Sequence, residues 1–358
     1  MTTADRTDGP RHMRGDAGTL TVEGILMDRH GPREGWLIAE DGAVVRSGTG
    51  QAPSEPDVRG YMLADVLNMH THCADYGLRI PEGMSLEELV APPDGLKHRY
   101  LREAPASELT DSMRRFASDS RGYGSATFVD FREGGLQGCR LLRQAVPEAV
   151  ILGRPTSPEC DPQEIEDILS VADGIGISGM SDMDPSYVEE VADIVRERRK
   201  VFAIHVSERA REDIDQVLSL DPAFIVHMCE ATDDDLAKCA EAEVPLVVCP
   251  TSNAYFGKVS PIARAQANGV DLAIGTDNGM LCRPDMVSEA REFLRMAVGQ
   301  GGDGDDSLRA LARVSGKILN AVSSNRGAVV KGPVTVLPTT EMSVSQALDG
   351  TGHRIVLS

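Results

Sequence analysis

The 358-residue chain lacks the usual marks of a nucleotide-, nucleic-acid- or membrane-binding protein. It has neither GxGxxG nor GxxxxGK[ST], which removes the common cofactors of a doubly wound open sheet. It is short of positive charge. The net charge is −20 and the pI about 4.8, so its surface repels phosphate backbones and a nucleic-acid polymer is not an expected partner. Lysine is scarce, at 6 against 30 arginines. The seven cysteines are odd in number and contain no CxxC pair, which excludes a disulfide framework and a zinc ribbon. No run of about 18 apolar residues occurs, so no membrane span is expected. Residues 1–18 have no apolar core and read as a disordered leader rather than a signal peptide. These absences point to a cytoplasmic protein with a small-molecule substrate.

What is present is an alternation. Residues 19–28 and 35–48 read as short antiparallel strands, with Asp41-Gly42 as a hairpin turn. From residue 62 onward, eight short apolar runs follow: 62–69, 124–131, 148–155, 173–179, 200–206, 222–228, 244–250 and 270–276. Runs without polar alternation suit parallel strands buried on both faces. Helical patterns fit between them at 107–121, 135–145, 161–171, 184–199, 209–218, 232–242, 260–268 and 286–298. Thr232 and Asp235 form a capping-box pattern. Eight strand–helix units predict an α/β fold, a (β/α)8 TIM barrel over residues 62–324. The first interval is longest, and 77–105 reads as a lid-like insertion that includes His98 and Arg99, with His98 facing solvent. Residues 307–322 read as a closing helix, and 328–338 and 354–358 as strands. The ends, 19–61 and 325–358, are expected to build one small β-sandwich beside the barrel.

The chain has only eight histidines, and four of them end predicted strands. His70 and His72 end the first. Side chains i and i+2 of a strand point the same way, so this pair can offer two nitrogens to one cation. His205 ends the fifth strand, His227 the sixth, and Asp277 follows the eighth. In a barrel these ends open on one face, so residues some 200 positions apart converge there. Cys73 and Cys229 flank these positions out of strand phase and read as small buried apolar residues. Asn253, Asp130, Arg132 and Glu133 also lie at strand ends, within reach of a substrate, and Gly134 and Gly135 suit a tight turn.

The segments NMHTH, GSATFVDF, IHVSE, IVHMCE, VVCPTSN and IGTDNG resemble the amidohydrolase superfamily along the whole chain. His205-Val-Ser-Glu208 and Cys249-Pro-Thr-Ser-Asn253 are similar to the markers of its mononuclear deaminase and chlorohydrolase branch, which includes cytosine, guanine and adenosine-type deaminases. The resemblance implies one divalent cation, Zn²⁺ first and Fe²⁺ second, on His70, His72, His205 and Asp277. The fourth strand, DGIGISG, has no lysine to bridge a second metal. The resemblance also implies catalytic roles. Glu208 would shuttle a proton to a ring nitrogen, His227 would orient the attacking water, and Asp277 would accept its proton. The implied reaction is deamination of a nucleobase- or nucleoside-like heterocycle by attack of metal-bound hydroxide, releasing ammonia. Two other readings remain open: hydrolysis of another C–N or a C–Cl bond, and a catalytically silent barrel with an assembly role. The resemblance also allows a homodimer.

Overall fold

The computed structural model describes residues 18–28, 30–81, 83–84, 88–89, 94–312, 332–341, 343–349 and 354–358. The described chain is a mixed α/β fold with two sheets. It begins with β1 (Thr19–Asp28), β2 (Gly31–Glu40), β3 (Ala43–Thr49) and β4 (Val58–Leu63). Asp41 and Gly42 both have positive φ, 49° and 80°, as the tight turn between β2 and β3 requires. β5 (Leu67–His72) then starts the larger sheet. The expected first barrel strand, 62–69, is therefore two strands. Met62 and Leu63 belong to β4, Asp65 turns the chain at φ 57°, and only from Leu67 does the chain enter the parallel sheet. Both halves are buried, so the apolar run hides the break.

The chain continues through α1 (Leu96–Glu103), α2 (Ala106–Gly122), β6 (Thr127–Arg132), α3 (Gly135–Ala145), β7 (Val150–Gly153) and α4 (Pro162–Leu169). It goes on through β8 (Gly174–Ile177), α5 (Pro185–Glu197), β9 (Val201–Val206), α6 (Ile214–Ser219), β10 (Phe224–His227) and α7 (Asp233–Glu241). Then come β11 (Leu246–Val248), α8 (Pro250–Tyr255), α9 (Ile262–Ala267), β12 (Leu272–Ile274), β13 (Asp277–Asn278) and α10 (Met286–Gly299). Local signals set several helix starts. Asp161 and Asp184 cap α4 and α5, each with proline in the first turn. Thr232 and Asp235 make the reciprocal capping box of α7. The helix expected over 209–218 begins only at Ile214. Glu212 instead ties the preceding loop together, accepting from Ser207 N at 3.0 Å and Ser181 N at 2.6 Å.

The larger sheet has nine strands in the order β12-β11-β10-β9-β8-β7-β6-β5-β13, every adjacent pair parallel. It curls around an inner cluster that includes Met69, Val129, Phe131, Leu152, Val226 and Val247. Helices pack on its outer face over a larger apolar cluster. Its two end strands, β12 and β13, are two residues apart in sequence. β12 pairs with β11, while Asp277 of β13 pairs with Thr71 of β5.

The second sheet is β15-β14-β4-β1-β2-β3, where β14 is Val334–Pro338 and β15 is Ile355–Leu357, with α11 (Val344–Asp349) between them. It joins both ends of the chain. The described residues form one hydrogen-bonded sheet whose two ends meet, Val44 N donating to the Ser358 carbonyl at 2.9 Å, and it is not wholly antiparallel, since β1 runs parallel to β4. Residues 306–312 are helical, and the rest of the expected closing helix lies outside the described residues, as does the leader up to residue 17. Among the described residues no helix is long and apolar enough to cross a membrane.

Candidate metal centre

β5, β9, β10 and β13 deliver their polar side chains to one end of the curled sheet. His70, His72, His205, His227 and Asp277 are all buried there. His70 Nε2 lies 3.2 Å from His205 Nε2 and 3.3 Å from Asp277 Oδ1. His72 Nε2 lies 3.4 Å from the same carboxylate oxygen. His70, His72 and His205 offer nitrogens within 4.8 Å of one another, and one nitrogen each of His70 and His227 and a carboxylate oxygen of Asp277 are grouped as closely. Backbone geometry at the strand ends is unusual: His227 has φ 79° and Asp277 φ 58°, in a region that non-glycine residues rarely adopt. Gly275 lies against His70, and a Cβ there would sit 2.7 Å from the His70 nitrogen.

Outer partners fix which atoms face inward. His205 Nδ1 donates to the Ile177 carbonyl at 2.8 Å, and His72 Nδ1 to the Phe131 carbonyl at 3.1 Å. With those protons on Nδ1, the Nε2 lone pairs point into the site, the usual arrangement behind metal-bound imidazoles. Asp277 Oδ2 accepts from Ser252 Oγ at 2.6 Å and Asn278 Nδ2 at 2.7 Å, which leaves Oδ1 toward the histidines. Burial pushes the His70 imidazole down to about 3. Burial, with His70 and His227 beside it, also holds His205 well below the ordinary histidine range. Burial alone would raise Asp277, but its contact with His70 and the nearby His72 and His227 hold it well below the carboxylate range. Neutral imidazoles beside an ionised carboxylate are the protonation states that metal binding needs. Three nitrogens and one carboxylate oxygen suit Zn²⁺ or Fe²⁺. The residues therefore fit a divalent cation.

His227 is presented differently. Asn253 donates from Nδ2 to His227 Nδ1 at 3.1 Å, and Ser260 Oγ donates to Asn253 Oδ1 at 2.8 Å. That chain puts the His227 proton on Nε2, making it a donor into the site. Glu208 Oε2 lies 3.8 Å from His227 Nε2, and its side chain is 33% exposed, so it meets both the site and solvent. Asn253, one of several strand-end candidates in the sequence, stands behind His227.

The other strand-end candidates divide. Asp130 accepts from Thr71 Oγ1 at 2.8 Å and Cys73 N at 2.6 Å and pairs with Arg132, so it braces the end of β5. Glu133 stands 2.8 Å from His72 Nδ1 and pairs with Arg132 and with Lys97 Nζ, the latter at 3.1 Å. Lys97 was not foreseen. It is buried on α1, inside the expected insertion, and donates to Asn278 Oδ1 at 2.8 Å. Burial would lower its pKa, but Glu133, Asp75 and Asp277 more than offset this and keep it charged. Asp75, also unforeseen, accepts from Met280 N at 2.9 Å, and burial pushes it up to about 6. His98 and Arg99 follow Lys97 directly on α1, His98 half-buried and Arg99 exposed. Cys73 is fully buried with its thiol pushed up by burial, and Cys229 is held near 12 for the same reason. Neither behaves as a thiolate ligand.

No family model matches the chain. A protein of Archaeoglobus fulgidus provisionally named an aminohydrolase is 34% identical over 280 residues, covering 77% of this chain and 80% of that protein. A 5-methylthioadenosine/S-adenosylhomocysteine deaminase of Moorella thermoacetica is 26% identical over 278 residues, 67% of this chain and 63% of that one. Among solved structures, an adenosine deaminase from Xanthomonas campestris with bound zinc has a TM-score of 0.66 at 16% identity, covering 92% of this chain and 88% of that chain. A guanine deaminase from C. acetobutylicum has a TM-score of 0.61 at 11% identity, covering 95% of this chain and 99% of that chain. The chain belongs to the amidohydrolase superfamily, alongside its deaminases, and is a hydrolase of the type that acts on C–N bonds.

Proposed function

We propose that this chain is a metal-dependent deaminase of an aminated nitrogen heterocycle, nucleobase- or nucleoside-like, that releases ammonia. The observation that carries the reading is one convergence. His70 and His72 of β5, His205 of β9 and Asp277 of β13 meet at the sheet end where Glu208 and His227 stand together. In the same reading the larger sheet is a closed (β/α)8 barrel. The stretch 272–278 serves as its eighth strand, pairing with β11 at one end and β5 at the other.

His70, His72, His205 and Asp277 would hold one cation, with zinc the first choice. A divalent cation so bound supplies a Lewis acid and brings the pKa of a water toward neutrality. The remaining steps belong to the chain. Asp277, ionised and fixed through Oδ2, accepts the water's proton at Oδ1. His227 donates from Nε2 to the attacking oxygen and steadies the negative charge that develops there. Glu208 gives a proton to the ring nitrogen beside the amine-bearing carbon. The tetrahedral carbon then expels ammonia, which takes the proton held by Asp277, while the hydroxyl proton of the attacking oxygen returns to Glu208 and a carbonyl remains. Water is consumed and one C–N bond is exchanged for C=O.

The test is turnover by zinc-loaded protein on a panel of aminated purines, pyrimidines, pterins and triazines, followed by ammonia release. Chlorotriazines, followed by chloride release, form the competing arm. Ammonia from at least one heterocycle supports the reading. Chloride release alone would replace it with a chlorohydrolase.

A further inference from the structure

The mouth of the site carries three cations with different degrees of commitment. Arg132 is engaged by Asp130 and Glu133. Lys97 is engaged by Glu133, Asp75 and Asn278. The third is Arg154. It follows β7 directly, and its backbone N–H donates to the Arg132 carbonyl at 2.9 Å, so it is fixed between the ends of β6 and β8. Its Nε is buried without a hydrogen-bond partner, and among the described residues Arg154 makes no ion pair. It stands just past the C-terminal end of β7, beside Arg132, at the same end of the parallel sheet where His72 and His205 lie.

A buried N–H with no acceptor is costly, and among the described residues no carboxylate offsets the charge of this half-buried guanidinium. A bound divalent cation would add to the same positive field. A neutral heterocycle could accept one hydrogen bond from Nε but would leave the positive charge uncompensated. A carboxylate or phosphate would answer both, because the guanidinium edge that includes Nε matches two oxygens in one plane. We propose that Arg154 binds an oxyanion of the substrate, so that the substrate is an aminated heterocycle bearing a carboxylate or a phosphate group. The inference rests on the deaminase reading above and narrows it.

Matched pairs test it: adenosine against adenosine 5′-monophosphate for phosphate, and pterin against pterin-6-carboxylate for carboxylate. Zinc-loaded wild type, Arg154→Met and Arg154→Lys are compared by kcat/KM and by calorimetric titration of each compound, which needs no turnover. In wild type the acidic member of one pair is expected to bind at least about 10-fold better than its neutral partner. Arg154→Met is expected to reduce that acid-to-neutral ratio by roughly 10- to 100-fold, and Arg154→Lys, which keeps the charge but not the planar edge, to restore part of it. Whichever pair shows the effect identifies the oxyanion. A wild-type ratio of one or less in both pairs, or a ratio unmoved by Arg154→Met in protein of unchanged zinc content, overturns the proposal. If the ratio holds in titration while no compound loses ammonia, the deaminase reading falls and the oxyanion site stands. If ammonia is released with a flat ratio, the reverse is true.

Discussion

Glu289 gives a prediction that can be worked through from its surroundings. It lies in the first turn of α10, 3% exposed, and accepts from the backbone N–H of Thr251 at 2.8 Å. Thr251 lies in the first turn of α8, whose first N–H groups have no partner within the helix, and the same helix carries Ser252 and Asn253 into the site. Burial pushes the Glu289 carboxyl up from 4.5 to about 7; the Thr251 hydrogen bonds oppose this, and Glu292 and Asp285 add to it. Between those two values the folded chain keeps a proton that the unfolded chain has released. Stability therefore falls as pH rises through that window, and is flat on either side of it. A difference of that size corresponds to about 3 kcal/mol lost by pH 8. Glu289→Gln keeps the acceptor for Thr251 and cannot ionise. It is expected to match wild type within about 1 kcal/mol at pH 5 and to exceed it by up to about 3 kcal/mol at pH 8. Urea unfolding at pH 5, 6, 7 and 8, with metal equally chelated in both proteins, measures this. Far-UV circular dichroism is the suitable signal, because the single tryptophan, Trp36, is in the second sheet. Two curves separated by a constant offset at every pH would refute the reasoning.

Three further outcomes follow from contacts at the site. Glu208→Gln should leave metal content unchanged and lower kcat by at least about 100-fold; loss of metal instead would make Glu208 a ligand. Lys97→Met should lower stability by about 3 kcal/mol and metal affinity by roughly 10-fold, because Glu133 behind His72 loses a buried counterion. Equilibrium unfolding and metal competition read the two effects separately. Gly275→Ala should cost at least about 2 kcal/mol or displace β5, since the added carbon meets His70 backbone rather than a flexible side chain. A thermal melt of the variant at wild-type level would contradict that.

Much of this arrangement was legible in the sequence, for identifiable reasons. Parallel strands buried on both faces leave continuous apolar runs, and seven of the eight expected runs, from 124–131 to 270–276, each hold the start or body of one strand of the larger sheet. The Thr232 and Asp235 pattern names a helix start through atoms only three residues apart. What was missed depends on distant partners. Asp65 alone marks the point where β4 gives way to β5, and Asn68 inside β5 is as polar, so the break does not stand out from an apolar run buried on both sides of it. Residues 209–213 have helical spacing but are drawn into a loop by Glu212 and its bonds to Ser207 and Ser181. Lys97 looks like one more polar residue on a helix; its contact with Asn278 spans 181 positions. Arg154 is a strand-end arginine among thirty in the chain, and a buried Nε without an acceptor among the described residues is what sets it apart.

The claim on which the rest depends is that four buried side chains hold one divalent cation. The direct measurement is metal stoichiometry by elemental analysis, on wild type and on His72→Asn and Asp277→Asn, after chelation and reloading with zinc. The account predicts about one ion per wild-type chain, restored turnover on reloading, and loss of the ion in both variants while the fold persists. Wild-type protein that neither retains nor regains a divalent ion, or variants that bind it as well as wild type, would contradict it.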